Sequence, residues 1–364
     1  MQELLGRIAR LDPSASLGLR VIACFDELIV GNVNTKALLA AAASLAGCVA
    51  GFAQDQTGRT LRVTPRGLVA PEPQHPQGRS AGARAEPAPG LHVWLERTGP
   101  DHPNDAIILE RLGMAVRLRH GAGRRDHDHR RDLGLLTDVD VSPEARRVAA
   151  AALGLDAHDE HRVVVAPLFA VWVTHPAGPE DVLATRHGPL HALVLPADRA
   201  DLAHLEASPV GVGVAADVEH LHHSLRTAVV ALRLCDPPTT PMVLADDYGG
   251  LVSLLAQTQP EDPQPDADRL ERVREHAWGL ETVAAIVRSQ SLRQAARCAG
   301  VHHSTMQARV DTLVALLGFD PFDGFGRARL GTAYLVHRLR HSRVLDLPAP
   351  VATTPAARAG VGDR

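Results

Sequence analysis

A chain of 364 residues, 45% hydrophobic and 22% charged, is too long for one ordinary core and too apolar for a disordered polymer, so two to three domains are expected. No apolar run approaches the roughly 20 residues of a membrane span, and the opening MQELLGRIARLDPSAS lacks the basic-then-apolar layout of a secretory signal. The net charge of −4 excludes a uniformly basic chain, yet from Arg288 to Arg343 nine arginines face three acids (Asp311, Asp320, Asp323), about +6 in one segment, which suits a basic module on an acidic body.

In chain order, helices are expected over 17–29 and 35–45, then short strands at 48–53, 60–64 and 91–96, then a helix over 105–119. Thr57–Gly58 joins the first two strands in hairpin fashion. The Pro-rich stretch 71–89 reads as a surface loop. Helices beside a small antiparallel sheet have the layout of a GAF-like sensor domain, an analogy of fold that carries no ligand.

The middle region opens at Ser142–Pro143–Glu144, a helix start with a side-chain cap, a proline in the first turn and an acid near the amino end. Strands are expected at 162–168, 170–174, 190–195 and 210–214, and a helix over 220–234. The stretch 259–268 (QPEDPQPDAD) reads as a linker, and the tail 347–364 as disordered.

Between Glu275 and Arg343 the pattern is all helical. Leu280, Val283, Ala284 and Val287 recur at helical spacing over 279–288. Ser291 with Gln294 forms a capping box for a short helix, 292–298, with Ala295 and Ala296 where a crossing helix must approach. Ala299–Gly300–Val301 is the turn. A third helix, 303–317, starts at His302 or Ser304, stops at Gly318, and buries Met306, Val310, Leu313 and Leu317. Its opposite face is small and polar, as insertion into a major groove about 12 Å wide requires. Ser304, Gln307 and Ala308 are assigned to base edges. His303, Thr305 and Arg309, with Arg293 and Arg297 from the preceding helix, are assigned to the phosphate backbone. This makes double-stranded DNA the expected partner.

The segment SLRQAARCAGVHHSTMQARVDTLVALLGFD resembles the C-terminal helix-turn-helix of the PucR/CdaR family of transcription regulators. Ser291, Leu292, Ala295, Ala296, Val301, His302, Thr305, Arg309, Leu313, Leu317 and Gly318 carry the match. RARLGTAYLVHRLR is similar to the family's closing helix. VSPEARRVAAAALGLDAHDEHRVVVAPL and PVGVGVAADVEHLHHSLRTAVVALRLCD are similar to its central GGDEF-like region. The family often has basic residues at the positions of Gln307 and Asp311 and an aromatic at Ala308. The central region has no GGDEF signature and no paired carboxylates for a metal, so cyclase activity is not expected.

Other motifs have plainer readings. Gly211-Val-Gly213-Val-Ala-Ala216 satisfies the GxGxxA spacing of a dinucleotide site, but too little strand precedes it and no complete βαβ unit follows, so a glycine-rich strand is expected and no cofactor. The clusters Asp126–His129 and Glu219–His223 place no third ligand and read as solvated surface, so no metal is expected. Cys24, Cys48, Cys235 and Cys298 form no CxxC pair; the first two read as buried small hydrophobes, in a reducing cytoplasm.

The expected fold is multidomain α+β: a GAF-like α/β domain (1–125), a degenerate GGDEF-like central α/β domain (126–258), the linker, an all-α helix-turn-helix domain (269–346) and the tail. The expected function is a non-enzymatic, cytoplasmic, homodimeric transcription regulator responding to an unknown small-molecule effector. The competing reading is a regulatory protein that keeps the helical module for docking protein rather than DNA.

Overall fold

The computed structural model describes residues 13–31, 33–71, 83–100, 102–120, 133–173, 176–198, 202, 205, 207–259 and 262–346. The Asp126–His129 cluster, the boundary expected at 125/126 and the tail 347–364 lie outside these residues.

Helices α1 (Pro13–Val30) and α2 (Thr35–Ala46) precede strands β1 (Val49–Gln54), β2 (Arg59–Val63), β3 (Arg84–Ala88) and β4 (Leu91–Glu96), and helix α3 (Asp105–His120) closes the unit. Asn34 caps α2 by accepting from the Ala37 amide at 2.9 Å. The strands form one antiparallel sheet in the order β2-β1-β4-β3. Alternation puts Ala50 and Phe52 of β1 and Leu91, Val93 and Leu95 of β4 into a core with Phe25, Leu28, Leu39, Ile108 and Leu112. Strand β3 lies inside the stretch expected as a loop. Its Pro87 cannot donate to a ladder, and β3 accordingly takes the sheet edge.

The second unit comprises α4 (Leu133–Thr137), α5 (Pro143–Leu153), β5 (His161–Ala166), β6 (Val171–Trp172), β7 (Glu180–Thr185), β8 (Gly188–Pro196), β9 (Ala207–Ser208), β10 (Val210–Val212), α6 (Leu221–Arg233), β11 (Met242–Leu244), a 3-10 turn (Ala245–Tyr248) and α7 (Gly250–Gln257). Ser142 caps α5, accepting from the Ala145 amide at 3.3 Å. Five strands run in the order β11-β10-β5-β8-β7, with only the β10–β11 pair parallel. Strand β5 is buried throughout because both its faces are covered. Val163 and Val165 join the large core with α6, while Val164 and Ala166 join a smaller one with Leu195, Val210 and Val212.

Strand β7 seats the first unit on the second. Val182 and Leu168 belong to the first unit's core, and Asn34 donates to Asp181 at 2.8 Å. Glu180, buried beside Gly31, meets the buried His191 at 2.5 Å.

Helices α8 (Pro265–Arg274), α9 (Gly279–Val287), α10 (Leu292–Cys298), α11 (His303–Leu317) and α12 (Gly326–Arg340) form the C-terminal bundle. The expected linker is thus partly helix: Pro265 occupies the first turn of α8, with Asp266 and Asp268 at its positive end. Leu270, Val283, Ile286, Met306, Leu313 and Leu330 pack in one core, continuous with Ala228, Val230 and Leu232 of α6. At the seam Arg233 donates to the Leu339 carbonyl and Arg338 to the Leu234 carbonyl, so each helix has its terminal carbonyls held by the other's arginine. Among the described residues no helix is long and apolar enough to cross a membrane. All four cysteines are free thiols, and burial pushes that of Cys235 up to about 12.

Candidate nucleic-acid interface

The interface is built on α10, the turn after it, and α11. Ser291 accepts from the Gln294 amide at 3.3 Å. The Gln294 side chain returns to the Gln290 amide at 3.0 Å rather than to that of Ser291, a capping box displaced by one residue. Ala295 and Ala296 are fully buried, and their lack of bulk lets α10 cross α11 and α9 closely. The exit from α10 is a Schellman turn: the Val301 amide donates to Ala296 (3.0 Å) and the Gly300 amide to Arg297 (3.2 Å). Gly300 supplies the required left-handed residue, with φ of 63°.

His302 caps α11. Its Nδ1 accepts from the Ser304 amide at 3.3 Å, and Ser304 Oγ lies 2.8 Å from the same nitrogen. If both are donors, the imidazole proton resides on Nε2. Helix α11 stops at Gly318, whose amide donates to Val314 at 2.9 Å. Met306, Val310, Leu313 and Leu317 are buried, whereas His303, Ser304, Thr305, Gln307, Ala308 and Asp311 are exposed. The helix therefore shows solvent a strip of short and polar side chains along its amino-terminal half.

The structure places the expected residues unequally. Ser304 is tied to His302, and Gln307 donates to Asp311 at 3.0 Å, so the amide is pre-oriented and the carboxylate shares its charge with it. Arg293 and Arg297, four residues apart on α10, are exposed, and no ion pair holds either among the described residues. Arg309 behaves differently. It is half-buried, donates to Thr282 Oγ1 at 3.1 Å, and lies over the Trp278 ring at 5.4 Å from the centroid. Its charge serves the contact between α11 and α9, so the phosphate role expected of it would require the side chain to leave Trp278 and Thr282. No local pattern points to that contact, because Trp278 lies 31 positions upstream.

Supporting contacts fix the rest of the bundle. Arg327 of α12 donates to the carbonyls of Ser289 and Gln290, just before α10. Arg329 grips both oxygens of Asp266 at 2.9 Å, and those hydrogen bonds hold the Asp266 carboxyl below its usual range. Glu271, His337 and His341 bring three ligand-type atoms within 4.8 Å. His337 Nδ1 and His341 Nε2 both lie against Glu271 Oε1, at 3.0 and 2.7 Å, so hydrogen bonding accounts for the arrangement. The His-x-x-x-His spacing on a helix is the signal that would have found it. Gly211 and Gly213 hold no nucleotide loop: a Cβ on Gly211 would stand 2.2 Å from the Leu232 amide, and one on Gly213 2.1 Å from the Ser224 carbonyl. These glycines let α6 cross the sheet.

Residues 280–336 match the model of the PucR C-terminal helix-turn-helix domain. No curated protein matches the chain. Among solved structures, a regulator of polyketide synthase expression from Bifidobacterium adolescentis is similar at 18% identity over 57% of this chain and 96% of that one, with a TM-score of 0.23. The domain match coincides with the helices whose caps, turn and exposed strip are set out above, and residues 280–336 are a helix-turn-helix domain of the PucR C-terminal type.

Proposed function

We propose that the amino-terminal half of α11 enters the major groove, with Ser304, Gln307 and Ala308 facing base edges. His303, Thr305, Arg293 and Arg297 meet the phosphate backbone, and Arg309 sets the angle of α11 from within. The observation that carries this is the exposure of that strip on a helix whose other face is anchored by four buried apolar residues. One short helix makes few base contacts, so two subunits binding two half-sites are expected, and the protein acts as a homodimer. The α/β units, read as GAF-like and GGDEF-like, form the cytoplasmic body that senses a small-molecule effector.

The test is selection of bound oligonucleotides by the purified full-length protein. A shared half-site motif that Gln307→Ala degrades at one position supports the proposal; recovery of no sequence preference above background refutes it. The exposed Asp311 favours a second reading, in which α11 docks an acid-tolerant protein surface. Salt separates the two, because phosphate contacts make affinity fall steeply with ionic strength.

A further inference from the structure

A cavity of about 350 Å³ lies in the seam between the second unit and the C-terminal bundle. Arg186 and His187, from the turn between β7 and β8, and Arg233 of α6 form one side. Gln264, Leu339 and Arg340 form the other. Val230, Leu255, Val336 and Leu339 give it a buried apolar floor. Neither an aspartate nor a glutamate lines it among the described residues.

The charge arrangement is unusual. Arg186 Nε donates to His187 Nε2 at 3.1 Å, and Arg233 Nη1 lies 3.2 Å from that same nitrogen. A neutral imidazole nitrogen has one lone pair, so two permanent cations converge there on one weak acceptor; their other partners are neutral oxygens, the Thr258 carbonyl at 3.3 Å and Gln259 Oε1 at 3.2 Å for Arg186 and the Leu339 carbonyl for Arg233. Arg340 is neutralised by Asp268 at 2.5 Å, whereas no carboxylate pairs with Arg186 or Arg233 among the described residues. Bringing like charges together in a partly dehydrated site is costly unless an opposite charge completes it. The same crowding pushes His187 down to about 4, through burial and then Arg233 and Arg186, and burial with Arg186 lowers Arg233. A second cavity of about 510 Å³ shares Arg186 and His187, adds Arg66, and again has no acid in its lining.

We infer that the seam cavity binds a small organic anion, whose carboxylate or phosphate takes the place of the His187 nitrogen between Arg186 and Arg233 while its apolar part lies against Val230, Leu255 and Val336. The volume falls in the range of metabolite sites. Because its walls belong to the body and to the bundle, occupancy biases how the two are held together and hence the DNA-binding module. This last step rests on the regulatory reading above.

The test is thermal unfolding of the full-length protein in succinate or inorganic phosphate, each against chloride at equal ionic strength. One of the two anions should raise the unfolding temperature by about 2–4 °C, which also tells carboxylate from phosphate chemistry. Arg186→Gln should abolish the rise, and Arg226→Gln, at an exposed position on α6, should keep it. Arg233→Gln should abolish it too; since that variant also gives up the Leu339 contact, Arg186→Gln decides. No rise with either anion, or an equal rise in Arg186→Gln, overturns the site. So does a phosphate effect lost in Arg293→Gln/Arg297→Gln and kept in Arg186→Gln, which would place the anion at the DNA face. The effective anion should also change affinity for a selected oligonucleotide at least threefold in the wild type and not in Arg186→Gln; unchanged affinity removes the coupling. Anion binding needs no DNA, so an Arg186-dependent rise in a protein that binds no oligonucleotide would sink the regulatory reading and leave the site standing.

Discussion

Arg309 lies over the ring of Trp278 at 5.4 Å and donates to Thr282 at 3.1 Å, so a cation in the middle of α11 is spent on holding α11 against α9. A cation–π contact with a hydrogen bond contributes about 1–2 kcal/mol. Arg309→Ala should lower stability by that amount in denaturant titration. The slope of log affinity against log salt should stay within error of the wild type. A slope reduced by one phosphate contact would show that Arg309 leaves Trp278 on binding.

Arg293 and Arg297 should behave in the opposite way. Both are exposed on α10 without an ion pair among the described residues, so truncating either should change stability by less than about 0.5 kcal/mol. Each variant should flatten the salt slope by roughly 0.9, the share of one neutralised phosphate. Unchanged slopes in both would remove α10 from the interface.

Gln307 and Asp311 form one unit through their 3.0 Å hydrogen bond. Asp311→Ala takes a carboxylate from the presented face and frees the Gln307 amide. Its expected effect is tighter DNA binding by about 0.5–1 kcal/mol, or two- to fivefold. Gln307→Ala should cost about 1–3 kcal/mol against the preferred base at one position and little elsewhere. Fluorescence anisotropy on matched and single-mismatch duplexes measures both.

The legible parts of the chain were those whose signals are local. Ser291, Gly300, His302 and Gly318 punctuate α10 and α11 within a few residues of what they control, and those bounds match the expected 292–298 and 303–317. Strand β7 was missed for the opposite reason. Its Glu180 and Asp181 look like surface, yet in the core Glu180 meets His191 and Asp181 accepts from Asn34, more than a hundred residues upstream. Arg309 shows the same limit inside the site. Its position on the helix was evident, but its partner was not.

Gly211 gives that lesson a measurable form. Its spacing with Gly213 mimics a dinucleotide loop, yet the α6 backbone is what leaves no room there. Gly211→Ala should destabilise the protein by about 3 kcal/mol or more, because backbone rather than a side-chain tip must move. An alanine variant as stable as the wild type in urea would mean that α6 sits further from the sheet.

The histidines fix a pH dependence whose sign can be worked out. His187 is held down to about 4, and burial also lowers His222 and His337. The unfolded chain takes up a proton on each near pH 6.5 while the folded protein does not, so the unfolded state gains as pH falls. For His187 that contribution is whole above about 6.5 and is lost progressively down to about 4. The groups facing it are Arg186 on its own turn and Arg233 from α6, with Arg340 in the same cavity. Carboxylates with lowered values, such as Asp266 and Glu271, lose their contribution only below the ordinary carboxylate range, which leaves pH 5–7 to the histidines. The urea midpoint of the wild type should therefore fall between pH 7 and pH 5, and His187→Asn should fall less. An anion seated between Arg186 and Arg233 would favour the imidazolium, so sulfate, whose charge is constant over this range, should stabilise the wild type more at pH 5.5 than at pH 7.5. An anion effect that shrinks as pH falls would contradict that placement.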